Sequence, residues 1–347
     1  MDDLMQTDSK TKPSRAKKSR GLRRILAILL VTSIGFTASC SSKRSSNDDL
    51  LLFFLLYIFF NLNQCTQLSA AASSAPAGTQ PAFDLPGAHA AGAYGEYVPG
   101  DALPPGPLKT GLFELPNGPQ WIRYYEKDGV AIFGGDMRLP MSKQIDPSQY
   151  AGAVQRSVGT ASSSARWSTQ VPFVFEVGGE AIADQTDVRN AMAHWETYTN
   201  FRFIARTGEA NYMNFQADGT GCYSFIGMIG GGQDVNVDAN CGFGAAVHEI
   251  GHALGLYHEQ SRADRDQNVN IDFSNITGGF ASNYDIASNA TDLGQYDFGS
   301  IMHYGSYFFA ADSSRPVMTK KDGSIITPNR TALTQCDVNG VNSMYGF

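Results

Sequence analysis

The chain has 347 residues, 42% of them hydrophobic and 17% charged, with 26 Lys+Arg against 33 Asp+Glu for a net charge of -7. That apolar share can support a core and excludes a wholly disordered chain, while the low charge and the 36 glycines exclude a coiled coil. The acidic balance excludes general nucleic-acid affinity, which needs a basic footprint.

The charge is unevenly spread. Residues 158–347 hold 10 Lys+Arg and 20 Asp+Glu, and residues 1–157 hold 16 and 13. Basic residues from Lys10 to Arg24, an apolar run from Ile25 to Phe36 and small residues after it make an export signal of residues 1–39. Thr37-Ala38-Ser39-Cys40 resembles the lipobox of bacterial lipoproteins, although Thr37 stands where Leu is usual. The resemblance implies that Cys40 carries a lipid and tethers the protein to the outer membrane or cell surface, with ordinary secretion or a retained signal anchor as alternatives. A second apolar run, Leu50 to Leu62, spans about 20 Å as a helix, short of the ~30 Å hydrocarbon core. It fits the membrane surface beside the anchor, or a misassigned start. From Ala70 to about Pro107 the chain is mostly Ala, Pro, Gly and Ser, the composition of an extended linker, so residues 40–107 read as a tether. Order resumes at Gly111–Leu115, and Trp121–Tyr125 alternates like a short strand.

The chemistry lies further on. His248 and His252 are four apart, so on a helix both rings reach one metal ion, and Glu249 is placed to reach a water on it. Gly255 suits the left-handed residue that ends a helix, which returns His258 as a third ligand. Three imidazoles leave Zn²⁺ an open position for water, the arrangement of a catalytic site. A bare His-Glu-x-x-His arises by chance often; the added glycine and third histidine complete the metzincin signature.

Glu259 and Arg262 behind the third histidine, together with Ser300-Ile301-Met302-His303-Tyr304, are similar to the astacin family. The resemblance runs from Trp167–Phe175 through a helix at Asp187–Tyr198 and the stretch Cys222 to Cys241, and on to Leu333-Thr334 and Met344-Tyr345. It implies an α+β zincin (metzincin) fold: a twisted mixed sheet with two long helices, an irregular C-terminal subdomain, and a cleft between them that binds an extended peptide against an edge strand. It implies a zinc endopeptidase with one catalytic Zn²⁺. His248, His252 and His258 would be its ligands, Glu249 the catalytic acid/base, and Tyr304 a resting fifth ligand that turns to the oxyanion. Met302 would lie under the imidazoles, and Glu259 would receive the amino terminus created by activation.

Upstream, Phe133-Gly134-Gly135-Asp136 matches the Phe-x-Gly-Asp element of astacin propeptides, which implies that Asp136 ligates zinc in a silent zymogen. A plain hairpin turn is the alternative, since Gly-Gly-Asp favours turns. The division that follows is propeptide 108–157 and catalytic domain 158–347, with the mature terminus near Ser157 or Val158, after Arg156.

Five cysteines are an odd number, so at least one stands outside an intramolecular bridge. The resemblance pairs Cys222 with Cys241, a loop worth roughly 3 kcal/mol by the chain-entropy relation. The family's second bridge would need cysteines where Asn200 and Phe347 stand, which puts the docking of the C-terminal tail in doubt. Cys336 then reads as an unpaired buried thiol, with a Cys65–Cys336 bridge as the less favoured alternative. His194, His303 and His89 have no ligand partners at useful spacing and read as structural, and Gly230-Gly231-Gly232 reads as a hairpin turn. The sequons at Asn275, Asn289 and Asn329 carry no function in a bacterial lipoprotein. The resemblance also implies a basic pocket for an acidic residue just after the cut, a charge that Lys320, Lys321 or Arg330 would supply. The protein would act as a monomer on proteins or peptides. The competing readings are a catalytically silent zinc-binding adhesion protein on the same scaffold and an anchored envelope factor with structural zinc.

Overall fold

The computed structural model describes residues 65–69, 106–115, 118–147, 166–176, 185–239, 241–287 and 290–347. All belong to one unit, Phe59–Phe347. The export segment, Cys40, the run Leu50–Leu62, His89, residues 70–105 of the expected linker and the region around Arg156 lie outside the described residues.

The alternating stretch seen in the sequence is β2 (Gly118–Lys127), which pairs antiparallel with β1 (Lys109–Leu115) in the register Leu112 opposite Trp121. The same period sends Ile122 and Tyr124 inward and leaves Trp121 exposed. β3 (Val130–Phe133), β4 (Met137–Pro140) and β5 (Gln144–Ile145) complete this upstream layer. β6 (Gln170–Phe175), β7 (Arg202–Ala205), β8 (Tyr212–Gln216), β9 (Cys222–Phe225) and β10 (Gly232–Val237) follow. All ten form one mixed sheet in the order β5-β1-β2-β3-β4-β9-β10-β8-β6-β7. Gly230 and Gly231, with φ of +93° and +76°, sit in the connection of the antiparallel β9/β10 pair, as the hairpin reading expects.

Two helices carry the main core. α1 (Gln185–Tyr198) turns Val188, Ala191, Met192 and Trp195 inward, and α2 (Gly242–Ala253) is buried along nearly its whole length. Trp195 Nε1 donates to the Val247 carbonyl at 3.0 Å and Trp167 Nε1 to that of Ala253 at 2.8 Å, so the two indoles fix α2 against its neighbours without leaving a buried donor unpaired. His194 is structural, its Nε2 accepting from the Leu333 amide at 3.0 Å. Beyond Gly255 the chain is irregular: short 3₁₀ turns, a two-stranded pair of β11 (Val269–Ile271) with β12 (Met318–Lys320), and a last helix α3 (Gln335–Tyr345). α3 starts with a reciprocal cap between Thr334 and Asp337 and ends at Gly346, φ +76°. The expected zincin architecture is therefore present.

The cysteines need a correction. Cys222–Cys241 forms as expected, but Cys336 is not a free thiol: it is bonded to Cys65 across 271 residues. The pairing follows from backbone docking, in which the Leu68 amide donates to Leu333 O at 2.8 Å and the Gln335 amide to Thr66 O at 2.9 Å. The bridge-less tail is docked as well. Phe347 and Tyr345 meet Phe201 edge-on with ring centroids 5.4 and 4.8 Å away, so an aromatic cluster stands where a cystine was missing.

Candidate metal centre

α2 ends as the sequence requires. Gly255 has φ +105°, and the Gly255 and Leu256 amides close back onto His252 O and Gly251 O at 2.8 and 3.0 Å. The reversed chain delivers His258 to the histidines on α2: His252 Nε2 and His258 Nε2 are 3.3 Å apart. The fourth group is Asp136. Gly134 and Gly135, φ +56° and +89°, form the turn between β3 and β4 that aims its carboxylate at the rings. The motif is a turn, and the same turn places the Asp136 carboxylate beside the three histidines. Asp136 oxygens lie 3.3 Å from His248 Nε2, 3.4 Å from His252 Nε2 and 3.2 Å from His258 Nε2, and all four residues are buried.

These spacings fit a metal. Zn–N and Zn–O bonds of about 2.0–2.2 Å in a tetrahedron place ligand atoms roughly 3.3–3.5 Å apart. His248 Nδ1 contacts Ile301 O at 2.8 Å and His252 Nδ1 contacts Leu256 O at 2.7 Å. A carbonyl only accepts, so Nδ1 holds the proton in both rings and each Nε2 turns a lone pair toward the Asp136 carboxylate. Neither Asp136 oxygen has a hydrogen-bond partner among the described residues. Lone pair against carboxylate is repulsive unless a cation joins them. Burial pushes His248 well down and His258 down to about 4, so these rings are neutral near pH 7. Nitrogen and oxygen donors at this spacing suit a single Zn²⁺ ion.

The remaining site residues surround it. Glu249 is wholly buried on α2 beside His248. Tyr304 packs its ring 4.5 Å from that of His258 and donates its hydroxyl to Gly134 O at 2.6 Å, so here it holds the upstream turn. Met302 lies under α2 where Gly251 leaves room, since a Cβ on Gly251 would stand 2.8 Å from its sulfur. His303 is structural, bridging Tyr304 O at 2.7 Å and the Tyr296 hydroxyl at 2.8 Å. Burial pushes Glu259 up to about 8 against the pull of Arg262, 3.6 Å away, and it lines a cavity of about 80 Å³ with Arg262, Asp297 and Cys336. Of the three basic candidates for specificity, Lys320 lies over the Phe298 ring and Lys321 bonds Asn270, while Arg330 donates to Ile301 O at 2.8 Å behind the histidines.

Several residues that secure the upstream layer left no local trace in the sequence. β4 pairs parallel with β9, Met137 opposite Ser224, and the Ser224 amide donates to Asp136 O at 3.1 Å. Arg123 forms a two-pronged pair with Asp285, and Tyr125 OH donates to Gly279 O at 2.9 Å. Only the parity of the cysteines could have pointed to Cys65.

Comparison with known proteins places this geometry. The family model described as Astacin, a peptidase family, matches residues 159–346. Protein SpAN of Strongylocentrotus purpuratus is 36% identical over 241 residues, 63% of this chain and 38% of that protein. Zinc metalloproteinase nas-4 of Caenorhabditis elegans is 33% identical over 52% of this chain and 59% of its own. The chain thus spans well under two thirds of these relatives. High choriolytic enzyme 1 of Oryzias latipes, a hatching enzyme zinc-protease, superposes with a TM-score of 0.51 at 29% identity over 55% of this chain and 99% of its own. With three histidines, Glu249 and the Met302 turn falling inside the matched region, the chain belongs to the astacin peptidase family.

Proposed function

We propose that the protein is a zinc-dependent endopeptidase acting on proteins or peptides and made as a precursor silenced by Asp136. One observation carries the reading: a buried carboxylate from the upstream layer occupies the fourth corner of a three-histidine site, at 3.2–3.4 Å from the ligand nitrogens. The fold match supports the protease, and the placement of Asp136 supports the latency. β4 along β9 would deny a substrate the same strand edge.

His248, His252 and His258 would hold Zn²⁺, which would supply polarisation of the scissile carbonyl and a water whose pKa is lowered toward ~7. Removal of Asp136 makes room for that water. Glu249 takes its proton during attack and passes it to the leaving amine. Tyr304, once released from Gly134 O, would be a further residue to hold the metal at rest, and its hydroxyl would donate to the oxyanion. The Ile301 and Leu256 carbonyls hold the His248 and His252 imidazoles in place. Cleavage near Ser157 would free the plug, and the new amine would enter the cavity beside Glu259.

Two disulfides suit an oxidising compartment and so support export. They use four of the five cysteines and leave Cys40, which fits its role as the lipid-bearing tether. The test is a casein digest with cut protein, with and without a zinc chelator, beside the Glu249→Ala variant. Activity that the chelator abolishes, absent in Glu249→Ala although zinc stays bound, is the expected result. Cleavage by Glu249→Ala would refute the mechanism; zinc-loaded cut protein that digests nothing would favour the silent binding protein.

A further inference from the structure

We propose that cleavage does not release the propeptide: the mature protein is a two-chain molecule in which Cys65–Cys336 keeps the upstream segment covalently attached to the catalytic domain. The inference rests on the latency reading only for the existence of the cut.

The connection is topological. Cys65 precedes the whole plug layer β1–β5, and Cys336 lies in α3, at the far end of the catalytic domain. Hydrolysis of one peptide bond between β5 and Trp167 adds a water, giving a carboxylate and an amine, and leaves the sulfur–sulfur bond untouched. The loop closed by the bridge contains that bond, so a single cut opens the loop without separating its ends.

The anchorage is built into the fold. Thr66 and Leu68 bond to Gln335 and Leu333 next to the bridge, and Gln67 Nε2 donates to Asn329 Oδ1 at 3.1 Å and to Thr331. Tyr198 on α1 donates its hydroxyl to Ser69 O. The plug, in contrast, is held by β4–β9 pairing, the Arg123–Asp285 pair and single hydrogen bonds, all reversible after a cut. Cys65 and Cys336 also have their sulfurs within 4.8 Å of the Asp297 carboxylate, and the Asp297 amide donates to Glu259 at 2.8 Å. The bridge therefore sits against the wall of the cavity beside Glu259.

Two consequences follow. Whatever anchors the chain upstream of Cys65 stays attached to the active enzyme. The plug also stays on the same molecule, so its return to the histidines is unimolecular and does not weaken on dilution.

The experiment uses the full chain with a site-specific protease sequence inserted between Arg156 and Ser157, free thiols alkylated and no reductant present. After the cut, denaturing non-reducing electrophoresis and intact mass should show one species, heavier than the uncut chain by one water. Dithiothreitol, which delivers two electrons and two protons to the bridge, should split it into two chains. The Cys65→Ser protein should split without reductant, and its activity per molecule should rise several-fold on 100-fold dilution while that of the parent stays constant. Two separate chains from the parent before reduction, or alkylated Cys65 and Cys336 in peptide maps, would overturn the proposal. Peptide mapping of the parent keeps the test valid if Cys65→Ser does not fold. Failure of latency reads differently: activity would be unchanged by the cut whether or not the chains remain linked.

Discussion

Replacing Gly135 by alanine should make the uncut precursor leak activity while leaving every catalytic group in place. Gly135 has φ +89°, a conformation that costs an L-residue roughly 1–2 kcal/mol. Its new Cβ would also stand 2.9 Å from the Tyr304 hydroxyl and 3.3 Å from Phe309. Both neighbours are buried and have little room to move, so overpacking adds about 1–3 kcal/mol. Together these amount to about 2–5 kcal/mol against seating the turn, or roughly 30-fold or more in the docking equilibrium. Gly134→Ala is the graded control. Its φ of +56° lies in the left-handed region that alanine tolerates better, and its Cβ meets the flexible end of Met137. A quenched fluorescent peptide assay on gel-verified uncut protein should rank Asp136→Ala and Gly135→Ala above Gly134→Ala, with the parent lowest. An uncut Gly135→Ala protein as silent as the parent, beside an active Asp136→Ala, would refute the reasoning, because the carboxylate would then hold without the turn.

Gly244→Ala tests the opposite expectation from helix propensity, which favours alanine by about 1 kcal/mol. Here a Cβ would fall 1.8 Å from the Arg330 carbonyl oxygen, a backbone atom, so thermal melting should drop by about 5–10 °C; an unchanged or raised Tm would contradict it. Burial pushes the Asp337 carboxyl up to about 6 from its ordinary 3.8, although Ser300 and the Thr334 and Ile301 amides pull it down. The folded chain then keeps a proton that the unfolded chain loses between those values. Its contribution to stability is complete below about pH 4 and is lost as pH rises to about 6, by roughly 3 kcal/mol. Carboxyl-carbon NMR of the Glu249→Ala protein should place its midpoint near 6, and a midpoint at about 4 would remove the effect.

The three-histidine cluster is legible because its spacing is local. His248 and His252 share a helix face by the 3.6-residue period, and Gly255 allows the turn that returns His258, so one short stretch encodes the three-histidine set. Strand alternation at Trp121–Tyr125 was legible for the same reason. What the sequence could not decide involves partners far apart along the chain. No local pattern says that β4 will lie parallel to β9, that Arg123 will meet Asp285, or that Phe347 will pack edge-on against Phe201 in place of a cystine. The Asp136 role could be inferred only from resemblance; the distances to three histidine nitrogens come from the pairing of β4 with β9 in one sheet. Cys65 and Cys336 show the limit most clearly. Their identity and odd-numbered company are plain in the sequence, but a bond across 271 residues exists only because Thr66 and Leu68 dock beside α3 and bring the two sulfurs together.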